Sequence, residues 1–333
     1  MAQRDGADTM NILVTGASGF VGSALIRQLL ARRADFPGTI TAALRRSDAI
    51  ASPNALVRPV VVGELSGTSD WSSALTNVDV VVHCAARVHV MNDTAADPLV
   101  EFRRVNVDGT LHLARQAMSA GVRRFVFISS IKVNGEQTPP GLPFRADDVP
   151  RPSDPYGVSK MEAEQQLLQL AAEGAMEVVI IRPVLVYGPG VKANFLSMMR
   201  WLDKGVPLPL GGILGNRRSM VALDNLVDLI IVCSRHPAAV GQIFLVSDGE
   251  DLSTTGLLRK TAQALDKPAR LLPFPASLLT LAARLLGRPG IAQRLCGSLQ
   301  VDIEKNRTLL GWTPPVPIDE ALRRTAAAYR AAP

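Results

Sequence analysis

The chain is poor in aromatic residues, 5% of 333, and carries only 3 Cys, 4 His and 3 Tyr. Cys84, Cys233 and Cys296 are odd in number, widely spaced and form no C-x-x-C pair. That argues against a disulfide framework and against a zinc site, and it fits a reducing compartment. No apolar run reaches the roughly 18 residues of a spanning helix. The nearest approach, LLPFPASLLTLAARLL at 271–286, is interrupted by Pro273, Pro275 and Arg284. It reads as an amphipathic helix for the core or an interface, and the pattern leaves open whether it touches a membrane. The first nine residues, MAQRDGADT, are polar and lack an apolar signal core, so a cytoplasmic location is expected. A long run of one charge is also missing. The formal charge is +6, but arginine pairs are scattered at 32–33, 45–46, 103–104, 123–124, 217–218 and 323–324. Scattered pairs read as solvated helix faces, not as a nucleic-acid surface.

What is present is a globular α/β composition, with 47% hydrophobic and 20% charged residues. Short Val/Ile-rich runs at Asn11–Thr15, Ile40–Leu44, Val57–Val62, Val78–His83, Arg124–Ser129 and Val178–Arg182 alternate with helical stretches such as Val21–Arg33, Asn106–Ala120 and Tyr156–Glu173. Strands without polar alternation are buried on both faces, so the expected fold is a doubly wound, Rossmann-type parallel sheet covered by helices. Beyond Pro183, Pro and Gly become frequent and the alternation stops. Ser219–Leu223 and Gln242–Val246 still read as strands that return to the sheet. The division expected is a dinucleotide-binding domain over 10–184, with return segments at about 219–248. A smaller C-terminal substrate-binding region then comprises 185–218 and 249–330.

The segment NILVTGASGFVGSAL at 11–25 is a strand, a glycine loop and a helix. Gly16, Gly19 and Gly22 allow a tight turn, close approach of a pyrophosphate and close helix–strand packing. The following helix offers its unpaired N–H groups and positive dipole end to the phosphates. Further on, Tyr156 and Lys160 lie four apart on one helix face, just after Pro155. A phenol titrating near about pH 10 is a poor base. A neighbouring ammonium, with the positive charge of a bound cofactor, is expected to bring it towards working pH.

The T-G-x-x-G-x-x-G spacing of Thr15–Gly22, with Tyr156-x-x-x-Lys160, resembles the extended short-chain dehydrogenase/reductase superfamily and its NAD-dependent epimerase/dehydratase family. The likeness extends through His83-Cys84-Ala85-Ala86, Asn106-Val107-Asp108-Gly109-Thr110, Arg182-Pro183, Tyr187-Gly188-Pro189-Gly190 and the closing motif near Leu309-Leu310-Gly311-Trp312. It implies that NAD or NADP lies against Gly16, Ser18, Gly19, Phe20, Val21, Gly22, Glu64, Leu65, Cys84, Ala85, Ala86, Asn106, Ser129, Tyr156, Lys160 and Pro183. After the second strand no acid appears until Asp48, so Arg45 or Arg46 is expected to face a 2′-phosphate, which tilts the reading towards NADP or mixed use. Aligning Ser129-Ser130-Ile131-Lys132-Val133-Asn134-Gly135 on the family pattern makes Ser130 the catalytic hydroxyl beside Tyr156 and Lys160.

Ile131 and Lys132 stand where 4,6-dehydratases carry an Asp-Glu pair, which argues against dehydration. The resemblance implies a UDP-sugar substrate, held by Arg87, Ser130, Lys132, Tyr156, Asn194, Arg217 and Arg294. Asn194 also has a plainer reading as a helix N-cap. A homodimer through the helices containing Asn106–Ala120 and Tyr156–Glu173 is implied too. The activity expected first is a 4-keto-6-deoxy sugar reductase resembling the UDP-N-acetylquinovosamine dehydrogenases of O-antigen synthesis. The alternative is a 4-epimerase of UDP-glucose, UDP-GlcNAc or a lipid-linked sugar with tightly held NAD. A regulator that binds dinucleotide without turnover is the non-enzymatic reading.

Overall fold

A computed structural model describes residues 9–46, 56–88, 97–139, 141–287 and 289–331; Asp48 lies outside the described residues. The strands are β1 (Ile12–Thr15), β2 (Ile40–Leu44), β3 (Val57–Val61), β4 (Val80–His83), β5 (Arg124–Ile128), β6 (Glu177–Pro183), β7 (Leu185–Tyr187), β8 (Met220–Ala222) and β9 (Ile243–Val246). The α-helices are α1 (Phe20–Ala31), α2 (Pro98–Arg103), α3 (Thr110–Ser119), α4 (Pro155–Glu173), α5 (Ala193–Asp203), α6 (Leu223–Arg235), α7 (Thr254–Ala264), α8 (Ala276–Leu285), α9 (Pro289–Cys296), α10 (Glu304–Leu310) and α11 (Ile318–Ala331). Among the described residues no helix is long and apolar enough to cross a membrane.

Seven parallel strands form one sheet in the order β3-β2-β1-β4-β5-β6-β9. Alternate residues of each strand enter different cores. Ile12, Val14, Val80, Val126 and Val179 pack on the side of α1 and α6, whereas Leu13, Val81, Phe125 and Val178 pack on the side of α3 and α4. Burial on both faces is why the sequence runs lack polar alternation. The strand order reverses between β1 and β4, which opens a crevice at their carboxyl ends.

Gln242–Val246 rejoins the sheet as β9, but Ser219–Leu223 does not. Its β8 pairs with β7 in a separate two-stranded sheet. The place beside β6 is already filled by β9, and Asp248 holds β8 where it is, accepting from the Ala222 N–H (2.7 Å) and from the Tyr187 hydroxyl (2.8 Å). Tyr187, Phe195, Met220, Leu258 and Leu322 form a third core around this pair.

One polar group crosses the main core. The Arg182 guanidinium, 1% exposed, donates to both oxygens of Glu164 on α4 (Nη2–Oε2 2.6 Å) and to Asn134 Oδ1 (2.9 Å). The Arg182-Pro183 motif is thus half structural: Arg182 turns away to join β6, α4 and the turn after β5. Breaking a buried, fully bonded pair from one side leaves a charge unanswered. Arg182→Met is therefore expected to lower unfolding free energy by about 3–5 kcal/mol, measured by urea denaturation. Arg182→Met combined with Glu164→Leu is expected to recover much of that loss.

Candidate functional site

Gly16 leaves β1 with φ +62°, and a Cβ there would lie 2.9 Å from the Ala85 nitrogen on the β4 side of the crevice. A Cβ on Gly22 would sit 2.3 Å from the Gly16 carbonyl oxygen. These two positions need glycine for space, so α1 packs directly beneath the loop. Gly19 is the N-cap of α1 and provides no side-chain cap. The first-turn N–H groups consequently face the crevice end without a side-chain acceptor, as an anion site requires. Ser18 and Gly19 are exposed, while Phe20 and Val21 are half-buried.

Opposite the loop, His83 ends β4 fully buried. Its Nδ1 is 2.7 Å from Thr15 Oγ1 and its Nε2 is 3.0 Å from Thr110 Oγ1. Thr15 Oγ1 also accepts from the Ala85 N–H (3.1 Å). Burial, with a smaller effect of Lys160, pushes the imidazole down to about 3, so the ring is neutral and bridges two hydroxyls. Cys84, Ala85, Ala86 and Arg87 follow, all half-buried. Burial pushes the Cys84 thiol up to about 12, which makes it a packing group and not a nucleophile. On the far rim, Arg45 and Arg46 are exposed. Glu64 is exposed as well, its carbonyl accepting from Ser69 Oγ (2.6 Å). Leu65 packs over Gly109, where a Cβ would meet its Cγ at 2.7 Å.

Asn106 lies in a π-helical turn, Arg104–Gly109, between α2 and α3. Its Oδ1 accepts from the Arg87 N–H (2.8 Å), and its Nδ2 donates to the Arg87 carbonyl (3.1 Å) and to Ser159 Oγ (3.1 Å). The Ser159 hydroxyl donates in turn to the Tyr156 carbonyl (2.8 Å). Phe102 meets the Tyr156 ring edge-on, with centroids 5.8 Å apart, and the Arg87 guanidinium lies 5.7 Å above Phe102. The wall expected to line the cofactor therefore also clamps the first turn of α4.

Asp154 caps α4, its Oδ1 accepting from the Gly157 N–H (2.6 Å). Lys160 Nζ donates to the Ile128 carbonyl (2.8 Å) and sits 4.3 Å above the Phe127 ring. Burial lowers this ammonium to about 8. Tyr156 moves the other way: burial and the Asp154 charge push its phenol up to about 12, while the Ser130 hydroxyl pulls it back. The expected lowering by Lys160 is not produced by the chain's own charges. Lys160 directs an N–H to the Ile128 carbonyl. Ser130 starts a short 3-10 turn and accepts from the Lys132 N–H (3.2 Å). Ser129, buried beside it, has a hydroxyl with no partner. Such an orphan at the crevice, with the glycine cradle, fits a bound dinucleotide. Pro183 is buried at the end of β6.

Lys132 pairs with Glu136 (3.1 Å) and Asp154, so its ammonium braces the cap of α4. Asn194 is exposed in the first turn of α5. The N-cap there is Lys192, which overturns the N-cap reading of Asn194. Arg217 is exposed, held by the Leu214 and Asn216 carbonyls (both 3.0 Å). Arg294 lies on α9, whose end is tied to the segment of Arg217 by Asn216 Nδ2 donating to the Leu295 and Gly297 carbonyls (3.3 Å each). Arg217 and Arg294 are thus carried by adjoining segments. Sequence reasoning passed over the neighbouring Arg218, which donates to the Gly297 carbonyl (3.1 Å) and whose burial lowers its pKa. Its only sequence signal was being the second of an Arg pair.

His83 makes the fold acid-sensitive in a defined window. Its folded value of about 3 lies below the ordinary 6.5, so the unfolded chain binds the proton first. The contribution is complete above 6.5 and is lost as pH falls towards 3, at up to about 1.4 kcal/mol per pH unit. Urea denaturation across that window is expected to show this slope, and His83→Gln is expected to remove it.

The family described as the NAD dependent epimerase/dehydratase family matches residues 12–247. A UDP-glucose 4-epimerase of Vibrio cholerae is 50% identical over 96% of this chain and 95% of its own length. Among solved structures, MoeE5 in complex with UDP-glucose and NAD is 25% identical with a TM-score of 0.75, covering 96% of this chain and 99% of its own. A UDP-glucuronic acid 4-epimerase from Bacillus cereus is 22% identical with a TM-score of 0.76, covering 97% of this chain and 99% of its own, and so speaks for the fold alone. The glycine cradle, the buried His83 bridge and the Tyr156/Lys160 helix therefore belong to an NAD(P)-dependent enzyme, and the chain is a member of the NAD dependent epimerase/dehydratase family.

Proposed function

We propose that the chain is a UDP-hexose 4-epimerase, inverting the configuration at sugar C4. The observation that carries this reading is the 50% identity to a UDP-glucose 4-epimerase across nearly the whole length of both chains. It favours the alternative over the 4-keto-6-deoxy sugar reductase that the resemblance put first. The two exposed arginines after β2 suit either activity. Ile131 and Lys132 support the absence of dehydration, because neither carries a carboxylate and the Lys132 ammonium is already paired.

A nicotinamide dinucleotide, which the cradle at Gly16, Gly19 and Gly22 and the Ser129 hydroxyl would hold, would supply reversible hydride chemistry at sugar C4 when bound. Tyr156 takes the C4 hydroxyl proton and later gives it back. Its phenol, near 12 in the chain alone, releases a proton readily only beside added positive charge, which couples proton transfer to the oxidised cofactor. Ser130 holds the C4 oxygen through its hydroxyl, and Lys160 anchors the base of the site at Ile128. Arg217 answers the UDP diphosphate, since a guanidinium fork pairs well with two phosphate oxygens; Asn194 and Arg294 flank it. The exposed faces of α3 and α4, with Arg115, Gln165 and Gln169, pair two subunits.

Purified enzyme incubated with UDP-glucose is expected to form UDP-galactose without accumulating reduced cofactor. Stoichiometric oxidation of added NAD(P)H by a 4-keto sugar, with no C4 inversion of UDP-glucose, would falsify the epimerase reading. Tyr156→Phe is expected to lower turnover about a hundredfold to ten-thousandfold while leaving cofactor binding, followed by fluorescence, intact. Ser130→Ala is expected to lower kcat about a hundredfold.

A further inference from the structure

The helix α8 buries none of its residues. Leu278, Leu281 and Leu285 are 53%, 53% and 79% exposed. At about 100° per residue these i, i+3 and i+7 positions form one stripe. The stripe continues into exposed Leu272 and Phe274 before the helix and Leu286 after it. Its inner face, Ala276, Leu279 and Ala283, is only half-buried. A row of leucines turned outwards on a helix is unusual for a protein that meets only water.

The charge around the stripe is of one sign. From residue 267 to residue 301 the sequence holds Lys267, Arg270, Arg284, Arg288 and Arg294 and no Asp or Glu. Arg284, Arg270 and Arg294 are exposed. Arg284 and Arg294 meet no carboxylate among the described residues, and Arg270 reaches only the Gly205 carbonyl at 3.5 Å. Arg284 lies about 60° beyond Leu281 around the helix, at the border of the apolar stripe. An apolar face edged by cations is the pattern of a helix lying in the plane of a membrane interface.

We propose that α8, with the Leu272–Phe274 approach, docks the enzyme on the surface of an anionic lipid bilayer. The leucines enter the headgroup–acyl boundary and the arginines meet lipid phosphates. Charge complementarity selects this occupant over a second copy of the chain. Two such faces related by a twofold axis would bring Arg284 and its neighbours against like charges, with no carboxylate on the segment to answer them. Docking in this way brings α8, with α9 packed beside it, to the lipid surface.

The test is co-sedimentation of the full-length enzyme with phosphatidylcholine vesicles, with and without phosphatidylglycerol. The expected result is binding to the phosphatidylglycerol vesicles, weakened by salt, and at least roughly tenfold less binding to neutral ones. Leu281→Asp with Leu285→Asp is expected to lower that binding by roughly tenfold or more. Arg284→Glu, which leaves the leucines in place, is expected to do so by roughly tenfold. Far-UV circular dichroism and thermal midpoint check that each variant is folded. Failure of the wild-type protein to sediment with phosphatidylglycerol vesicles overturns the proposal, as does equal binding by wild type and Arg284→Glu. A dimer in solution that the leucine variant converts to monomer, with no vesicle binding by the wild type, assigns the face to a second copy.

Discussion

The buried Arg182–Glu164 pair is the constraint on which the site depends. It joins β6, in the middle of the C-terminal half of the sheet, to the one helix that carries Tyr156 and Lys160, and through Asn134 it reaches the turn that carries Ser130. Tyr156 and Lys160 ride on an element that this guanidinium ties to β6. A hydrophobic pair of the same volume would lack the directional donors that fix α4 against the Ser130 turn. The second restraint comes from above, where Asp154 caps α4 and is itself braced by Lys132.

Beside the Lys160 ammonium the site keeps a neutral ring. His83 is kept uncharged by burial and spans Thr15 and Thr110, which locks the reversal point of the sheet. Lys160 sits on a carbonyl and an aromatic face. The resulting pocket is one in which the phenol of Tyr156 is a weak acid by default. In the proposed reaction its proton becomes mobile when positive charge arrives beside it.

Much of the fold was legible because the strands of a covered parallel sheet must be apolar on both faces, and the runs at 40–44 and 124–128 betray that directly. The glycine loop was legible for the same steric reasons that a Cβ at Gly16 or Gly22 finds no room. What was hidden depended on partners distant in sequence. Nothing in Ser219–Leu223 signals that β9 will take the place beside β6. Arg182 reads as a motif neighbour of the cofactor, yet its partners lie 18 and 48 positions away. The pattern at 271–286 announced an amphipathic helix but not which of its faces turns outwards, since that is decided by what α9 and the 208–215 loop leave uncovered. The Lys160 share of the expected Tyr156 shift was hidden for the same reason: the two residues share a helix face, but Lys160 reaches under the helix to the Ile128 carbonyl.

The π-helical turn at Arg104–Gly109 has a bearing on how this region of the chain can change over time. The extra residue in that turn lets Asn106 face Ser159 while Phe102, one turn earlier, still meets Tyr156. A regular α-helix loses about 100° of rotation for each residue removed. Deleting one residue there would make a better helix and a worse enzyme, because α2 would swing Phe102 off the tyrosine ring. The spacing between α2 and α3 is not free to drift. The segment is therefore a length standard: its number of residues matters more than the identity of most of them.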